Sequence, residues 1–290
     1  MNGPEAEQRT VVEWHPTQLV RPRRQKEETQ GSEEEGEFAL IVLNQPIDEH
    51  LSVMKRLWDN ASIRVAADGG TNSLYEAAGK HGDNSLDNLQ VIIGDLDSLD
   101  PVAREYYECG EKKNPTQVIH KPDQESTDFG KAITYVREQH PGLDIVAVGG
   151  LGGRVDQGLS QLHHLYMFQR DAHYAEGRIY LFSGESLTFL LKGNMIEHRI
   201  GVRDGREKEE GGAGGEVFGK HVGILPVGEK SRITTKGLEW DVEDWETEFG
   251  GRVSTSNHLL PGTEVVSVRT ERDVLFTVAL RKGMGGDGYF

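Results

Sequence analysis

The chain contains very little cysteine: Cys109 is the one thiol among 290 residues. A single thiol excludes an internal disulfide, and no CxxC motif or Cys/His cluster has the spacing of a zinc site. Such sparse cysteine fits the reducing cytosol or nucleus, and we predict a cytoplasmic protein.

Positive charge is also scarce, because 32 lysines and arginines stand against 48 aspartates and glutamates, for a formal net charge of −16. Proteins that bind nucleic acid usually carry a basic face that neutralises phosphates, so we expect no nucleic-acid partner. A small anionic ligand remains compatible with this charge if a cation such as Mg²⁺ holds it.

Long apolar runs are missing as well. No run approaches the roughly 20 residues that a membrane-spanning helix needs, and the N-terminus lacks an apolar targeting segment. We therefore expect no membrane partner. The GxxxxGK[ST] phosphate loop is absent, and the glycine-rich stretch "GGLGGRVDQ" does not match the GxGxxG dinucleotide fingerprint.

The order of predicted elements indicates two domains. Residues 1–37 are polar and rich in Glu, Gln, Arg and Pro, and we predict a disordered tail. Over residues 38–177 strands alternate with helices, which predicts an α/β domain with a mostly parallel sheet flanked by helices. Over residues 178–283 short strands and turns predict an all-β domain of sandwich or barrel type, with a flexible glycine-rich insertion at 201–219. Residues 284–290 read as a frayed end.

Acidic residues follow several of the predicted parallel strands. They are Asp68 in "AADGG", Asp95 and Asp97 in "GDLDS", Asp128 in "PDQESTDF" and Asp156 in "GGLGGRVDQ". Ligands of open parallel sheets bind beyond the carboxyl ends of the strands, and carboxylates gathered there repel one another unless a cation neutralises them. Oxygen donors without nitrogen or thiolate suit a hard cation such as Mg²⁺.

Helix capping is the alternative reading of these side chains. Asp100, just before Pro101, has the position of an N-cap, whereas Asp95 and Asp97 lie too far upstream to cap that helix. The two-residue period of a strand places Asp95 and Asp97 on the same side, which favours a shared ion. In "DQESTDFGKA" we expect Ser126 or Asp123 to cap the following helix.

The stretch "GGLGGRVDQGL" is a glycine-rich turn that enters a helix. Free backbone N–H groups and the positive end of the helix favour an anion there, and Arg154 could add a bidentate phosphate contact. A plain tight turn, with Asp156 compensating the helix dipole, explains the pattern equally well.

Three other side chains carry weaker signals. His163 and His164 lie in the middle of a predicted helix without a second ligand at useful spacing, and we expect both to be partly exposed helix residues. Trp240 reads on its own as a core tryptophan of the β domain.

Seven sequence blocks occur in an order that suggests a family. "ADGGTN", "GDLDS", "PDQESTDF", "GGLGGRVDQ", "GILPVG", "TTKGLEW" and "STSN" together resemble thiamine pyrophosphokinase of fungal or other eukaryotic type, over residues 38–282. This resemblance implies an ATP:thiamine pyrophosphotransferase that needs Mg²⁺, works as a homodimer with shared active sites, and joins an α/β domain to a β-sandwich. Two alternatives remain open: a DxD-dependent nucleotide-sugar transferase, and a non-catalytic sensor of thiamine or nucleotide.

The resemblance also implies roles for single residues. It assigns the Mg²⁺-binding, catalytic carboxylates to Asp95, Asp97 and Asp128, and the thiamine contacts to Trp240, Ser254 and Asn257. It makes Trp240 a residue that stacks on thiamine rather than a core residue. The residues that it implies for ATP are Asp68, Gly69, Gly70, Asn72, Gln124, Thr127, Arg154, Asp156 and Gln157.

Overall fold

The computed structural model describes residues 10–21, 37–47, 51–81, 84–109, 115–203 and 217–281. They divide into two compact units. The α/β unit holds the described residues from 18 to 189, together with 280 and 281, and the β unit holds residues 10–17 and the described part of 190–279. Within the described residues, no helix is both long enough and apolar enough to cross a membrane.

The prediction of a disordered tail over residues 1–37 is wrong for residues 11–20. Strand β1 (Val11–Trp14) pairs in parallel with β9 (Glu197–Gly201), and a 3-10 helix follows at Pro16–Val20. Val12 and Trp14 point inward, and the indole N–H of Trp14 donates to His198 Nδ1 at 3.1 Å. A four-residue alternation inside a polar segment is too short a signal to outweigh the composition around it. Residues 1–9 and 22–36 lie outside the described part of the chain.

The α/β unit is built on one sheet with the strand order β8-β7-β6-β2-β3-β4-β5. All neighbours from β7 to β5 pair in parallel, and β8 is antiparallel to β7. The strands are β2 (Phe38–Val42), β3 (Ile63–Ala67), β4 (Val91–Gly94), β5 (Gln117–His120), β6 (Asp144–Val148), β7 (Ile179–Phe182) and β8 (Ser186–Leu191).

Helices connect these strands and pack on the sheet. They are α1 (Leu51–Asn60), α2 (Gly70–His81), α3 (Pro101–Cys109), α4 (Asp128–Gln139) and α5 (Val155–Phe168). Strands β2, β3 and β4 are buried at every residue, as expected for parallel strands covered on both faces. Asp100 accepts a hydrogen bond from Val102 N at 2.7 Å, which confirms its predicted capping of α3. The predicted mostly parallel α/β fold is confirmed.

The boundary between the units differs from the prediction. We expected the all-β domain to begin at residue 178, but the α/β unit extends to Phe189. Strand β7 belongs to it because Ile179 pairs in parallel with Ile145 of β6. A short apolar strand looks the same in a parallel sheet and in a sandwich, so the sequence alone does not show which partner it takes.

The β unit contains no helix among its described residues apart from the first two residues of the 3-10 segment, which confirms the predicted all-β class. One group of strands has the order β1-β9-β14-β11-β12, and a second has the order β13-β10-β15. The remaining strands are β10 (Phe218–Leu225), β11 (Ser231–Lys236), β12 (Trp245–Thr247), β13 (Ser254–His258), β14 (Val265–Thr270) and β15 (Val274–Leu280). Most of the predicted insertion (204–216) and the predicted frayed end lie outside the described residues.

Candidate active site

Three carboxylates meet at the carboxyl edge of the parallel sheet. Asp68 follows β3, Asp95 follows β4, and Asp128 begins α4. One carboxylate oxygen of each lies within 4.8 Å of the others. They form what we call the acidic cluster. The strand ends in the sequence predict this gathering of acidic groups, because parallel strands place their last residues at one edge of the sheet.

The backbone at the ends of β3 and β4 lets the acidic cluster form. Asp68 adopts a φ of +41°, a left-handed conformation that Asp tolerates better than most residues. Gly94 is the last residue of β4, and a Cβ atom there would lie 2.7 Å from Asp68 Cβ and 3.0 Å from Asp128 Oδ1. A side chain at position 94 would therefore push the two carboxylates apart.

Lys131 partly neutralises the acidic cluster. Its Nζ lies 3.1 Å from Asp128 Oδ1 and 3.5 Å from Asp95 Oδ2, and the residue is 7% exposed. Burial by itself lowers the pKa of Lys131, but the hydrogen bond to Asp128 and the nearby carboxylates outweigh it and raise the pKa. Gln124 Nε2 donates to Asp95 Oδ2 at 3.0 Å. Lys131 thus contributes one positive charge beside the three carboxylates of the acidic cluster.

Asp68 has an oxygen that fits a bound cation. Its Oδ2 accepts from Ser98 N at 3.2 Å, whereas its Oδ1 is buried without a hydrogen-bond partner in the described residues. Burial, together with the negative charges of Asp128, Asp95 and Asp97, raises the pKa of Asp68 to about 6 despite the Ser98 contact. A buried carboxylate oxygen without a donor, beside two further carboxylates, is a donor set suited to a hard divalent ion.

The pKa of Asp95 shifts in the opposite direction, to below its usual value. Burial raises its pKa, but hydrogen bonds from Asp97, the charge of Lys131 and the amide of Gln124 together lower it. Asp95 is therefore ionised at neutral pH. The cluster combines a strongly acidic carboxyl group with a weakly acidic one. They differ because Asp68 is more deeply buried and because, of the three carboxylates, it has no cationic or amide side-chain partner among the described residues.

Asp97 lies outside the acidic cluster, although the sequence pairs it with Asp95. Strand β4 ends at Gly94, and Leu96 has a φ of +65°, so the two-residue period of a strand does not extend through this segment. Asp97 is exposed, its backbone N–H donates to Asp95 Oδ1 at 3.3 Å, and its own Oδ1 accepts from Ser98 Oγ at 3.1 Å. The third member of the acidic cluster is therefore Asp68, whereas the sequence resemblance implies Asp97 beside Asp95 and Asp128.

The other residues expected around ATP shape the loops beside the cluster. A Cβ atom on Gly69 would lie 2.4 Å from Asn44 Nδ2, and one on Gly70 would lie 2.2 Å from Val42 O, so both glycines allow close packing on the end of β2. Asn72 braces the loop after β4, since it donates to Ser98 O at 2.8 Å and accepts from Asp100 N at 2.9 Å.

Thr127, rather than Ser126 or Asp123, is the N-cap of α4. Its Oγ1 accepts from Gly130 N at 3.0 Å. Asp123 instead accepts from Glu125 N and from Ser126 Oγ, which forms a local turn before the helix. The prediction of the cap is therefore wrong by one residue, because the turn uses the two side chains that could otherwise have capped.

Arg154 and Asp156 interact with each other at the start of α5. Their side chains are 75% and 61% exposed, and Arg154 donates to both Asp156 oxygens, at 3.1 and 2.5 Å. This pairing raises the pKa of Arg154 and lowers that of Asp156. Gln157 beside them is exposed. Gly149, Gly152 and Gly153 all have positive φ in the preceding turn, as a tight glycine turn requires.

Trp240 is a surface residue of the β unit. It is 54% exposed, so the reading as a core tryptophan is wrong. Asn257 of β13 fixes its backbone, because Asn257 Oδ1 accepts from Trp240 N at 3.1 Å and Asn257 Nδ2 donates to Trp240 O at 2.8 Å. Ser254 begins the same strand and is half-buried. The His258 ring lies 5.0 Å from the indole, between centroids.

Two family models cover the two units. Residues 54–175 match the catalytic domain of thiamin pyrophosphokinase, and residues 197–275 match the vitamin B1 binding domain of thiamin pyrophosphokinase. The chain belongs to the thiamine pyrophosphokinase family. The first match contains the whole acidic cluster, and the second contains Trp240.

Relatives of the thiamine pyrophosphokinase family match along most of their length. The chain is 34% identical to thiamine pyrophosphokinase 1 of Arabidopsis thaliana and 33% identical to thiamine pyrophosphokinase 3 of Oryza sativa subsp. japonica, in each case over 84% of this chain and 87% of the relative. Among solved structures, yeast thiamin pyrophosphokinase matches with a TM-score of 0.74 at 25% identity, covering 95% of this chain and 93% of that one. The enzyme from Candida albicans matches with the same TM-score at 22% identity, over 93% of each chain, which supports the fold.

The sequence did not predict the roles of two residues near the acidic cluster of this thiamine pyrophosphokinase family member. Lys131 carries a signal that could have found it, because it lies three residues after Asp128 on a helix and so faces the same side. His164 was expected to be partly exposed, but it is 2% exposed, and its Nε2 lies 2.7 Å from Thr127 Oγ1. That expectation is wrong because Phe129 and Phe168 enclose the ring. Phe168 lies four residues after His164 on the same helix, but the contact with Phe129 of α4 has no local signal in the sequence.

Proposed function

We propose that this chain transfers the pyrophosphoryl group of ATP to the hydroxyl of thiamine, with thiamine diphosphate and AMP as products. The observation that carries the proposal is the acidic cluster at the carboxyl edge of the sheet, in a chain whose two units match the catalytic and vitamin B1 binding models of one family. The nucleotide-sugar transferase and the sensor find no support among the relatives.

Asp68, Asp95 and Asp128 are the residues that would hold the divalent ion, for which Mg²⁺ fits the all-oxygen donor set. When bound, such an ion neutralises charge on the phosphate oxygens of ATP. Lys131 holds Asp95 and Asp128 in place, and Gln124 orients Asp95 through its amide. We assign a phosphate contact to Arg154, an exposed cation at the start of α5, which it can make once it leaves Asp156.

Thiamine is an aromatic cation, so an exposed indole face suits it. We assign Trp240 to this contact, because Asn257 fixes its backbone while the side chain stays exposed. Asn257 already uses its amide on Trp240, so its role is to present the tryptophan. Ser254 and Asn257 lie on the same strand, β13.

The decisive experiment combines purified protein, thiamine, Mg²⁺ and ATP that carries ¹⁸O in its γ-phosphate, with analysis by liquid chromatography and mass spectrometry. Pyrophosphoryl transfer is expected to give AMP and thiamine diphosphate in equal amounts, with the label in the terminal phosphate. Formation of ADP would indicate stepwise phosphoryl transfer instead. Binding of thiamine by calorimetry, with ATP left intact under several divalent ions, would favour the sensor.

Replacing Trp240 by Ala is expected to raise the KM for thiamine about 10-fold, because loss of a cation–π contact removes about 1–2 kcal/mol of binding. The KM for ATP and the kcat should change little. Phe249, which is 63% exposed in the same unit, offers a matched control, and Phe249→Ala should leave both KM values unchanged. An unaltered thiamine KM in Trp240→Ala would remove Trp240 from the site.

The homodimer with shared active sites stays a prediction of the sequence resemblance, and the cytoplasmic location stays a prediction from the sparse cysteine. Light scattering coupled to size-exclusion chromatography measures the first directly. A mass of one chain, 32.2 kDa, at catalytic concentrations would contradict it.

A further inference from the structure

His164 connects two helices of the α/β unit. It lies in α5, and its ring bonds the carbonyl of Ser160 through Nδ1 at 2.5 Å and the hydroxyl of Thr127 through Nε2 at 2.7 Å. Thr127 is the N-cap of α4 and directly precedes Asp128 of the acidic cluster. A buried histidine thus lies one residue away from a carboxylate of the site, without touching it.

The direction of each hydrogen bond follows from the available protons. A backbone carbonyl only accepts, so Nδ1 of His164 carries the ring proton, and Nε2 of the neutral ring is an acceptor. Thr127 therefore donates its single hydroxyl proton to His164. Its oxygen still accepts from Gly130 N at 3.0 Å. Burial lowers the pKa of His164, which favours the neutral ring that this arrangement requires.

The hydrogen bond to His164 limits the part that Thr127 can play. A threonine hydroxyl has one proton, and here His164 receives it, so Thr127 has none to offer to a phosphate oxygen. The hydroxyl instead stays in the one orientation that caps α4. Without an acceptor at position 164, the hydroxyl could rotate away from Gly130 N.

We propose that His164 is a positioning residue that orients the Thr127 hydroxyl and thereby holds the first turn of α4, with Asp128 and Lys131, in the geometry of the acidic cluster. The assignment of the cluster to a divalent ion rests on the proposed function. The positioning role itself rests on the contacts of His164, Thr127 and Gly130.

Packing around the ring supports a fixed orientation. The ring of His164 lies 5.1 Å from that of Phe129 and 6.0 Å from that of Phe168, in a stacked arrangement with the latter. A Cβ atom on Gly130 would lie 3.3 Å from Thr127 Oγ1 and 3.4 Å from His164 Nε2, so glycine leaves the space that this contact occupies.

The same turn carries the charges of the site. Lys131 N donates to Thr127 O at 2.9 Å, the first backbone hydrogen bond of α4, and Lys131 Nζ contacts both Asp95 and Asp128. A displaced Thr127 therefore moves one carboxylate of the cluster and its neutralising cation together. Hydrogen-bond partners behind metal-binding groups typically account for about 10-fold to 100-fold in metal affinity.

The test measures binding of Mn²⁺, as a probe for the divalent ion, by electron paramagnetic resonance without nucleotide. His164→Leu is expected to weaken Mn²⁺ affinity by about 10-fold or more. His164→Gln can place an amide oxygen near Thr127 and should recover most of that loss. The matched control is His163→Leu, the exposed neighbour on the same helix, which should bind Mn²⁺ like the unmodified chain.

A double-mutant cycle tests the route through Thr127. Thr127→Val removes the hydroxyl but keeps the shape, and it should weaken Mn²⁺ binding about as much as His164→Leu. Because both changes break one chain of contacts, the double variant should be no worse than either single variant. Additive losses would overturn the proposed route. Where His164→Leu does not fold, His164→Asn, whose shorter amide does not reach Thr127, takes its place in the cycle.

The outcomes separate this inference from the proposed function. Unchanged Mn²⁺ affinity in His164→Leu, with only a lower melting temperature, would reduce His164 to a packing residue and overturn the inference. Equal loss in the Gln and Leu variants would do the same. Mn²⁺ binding by an unmodified chain that makes no thiamine diphosphate would refute the proposed function, while the comparison of variants would still decide the role of His164. Absence of Mn²⁺ binding in the unmodified chain would overturn the inference, whereas formation of thiamine diphosphate would still decide the proposed function.

Discussion

Asp95→Asn is expected to lower kcat by on the order of 10³-fold with saturating ATP and thiamine, because it removes an ionised carboxylate from the divalent-ion site. Asp95 is the member of the acidic cluster that has the lowered pKa and contacts both Lys131 and Gln124. An asparagine has nearly the same shape, so the fold should persist. The measurement is the initial rate of AMP formation over a range of Mg²⁺ concentrations, with circular dichroism as the check on folding.

Asp97→Asn is the matched comparison, since Asp97 carries the same group two residues away but lies outside the acidic cluster. Its loss of turnover should be much smaller, and excess Mg²⁺ should restore most of it. Equal damage from the two substitutions would support the ligand set that the sequence resemblance implies. Near-normal activity of Asp95→Asn at limiting Mg²⁺ would contradict the role of the cluster altogether.

The comparison between Asp95 and Asp97 shows what the sequence could and could not predict at the site. That acidic groups meet at one edge follows from strand order alone, because parallel strands end at the same side of a sheet. Which carboxylates meet depends on single backbone dihedrals, such as the positive φ values of Asp68 and Leu96. Neither residue is a glycine, so the residue types at these positions did not predict a positive φ.

The sequence likewise predicts some parts of the fold and not others. The apolar strands between helices predict the parallel sheet, since each pattern is local and strong. The position of β7 depends on its pairing with β6, more than thirty residues earlier in the chain, and the burial of His164 in α5 depends in part on Phe129 of α4. Such contacts are non-local, so a sequence pattern carries little information about them. The N-terminal strand β1 was missed for the same reason, because its partner β9 is distant in sequence.

We expect Asp68 to make the metal-free chain less stable at neutral pH than in mild acid. Its pKa rises from 3.8 to about 6 on folding, so the folded state holds the proton more tightly than the unfolded state. The contribution of Asp68 to stability is therefore full below about pH 4, falls as the pH rises through about 6, and is constant above that. Two pKa units correspond to about 3 kcal/mol. Urea unfolding in the presence of a chelator, at pH values from 4 to 7.5, measures this change.

Asp68→Asn isolates that contribution from those of other titrating groups. An asparagine carbonyl can still accept from Ser98 N, and its amide can donate to Asp95 or Asp128, so the variant suits the metal-free cluster at every pH. We expect it to match the unmodified chain near pH 4 and to exceed it by up to about 3 kcal/mol at pH 7. Added Mg²⁺ at pH 7 should reverse the order, because only the aspartate offers a second anionic oxygen to the ion. The same dependence of stability on pH in the two proteins would show that Asp68 ionises without loss of folding free energy. In that case, the unpaired oxygen of Asp68 is not what makes this edge of the sheet a cation site.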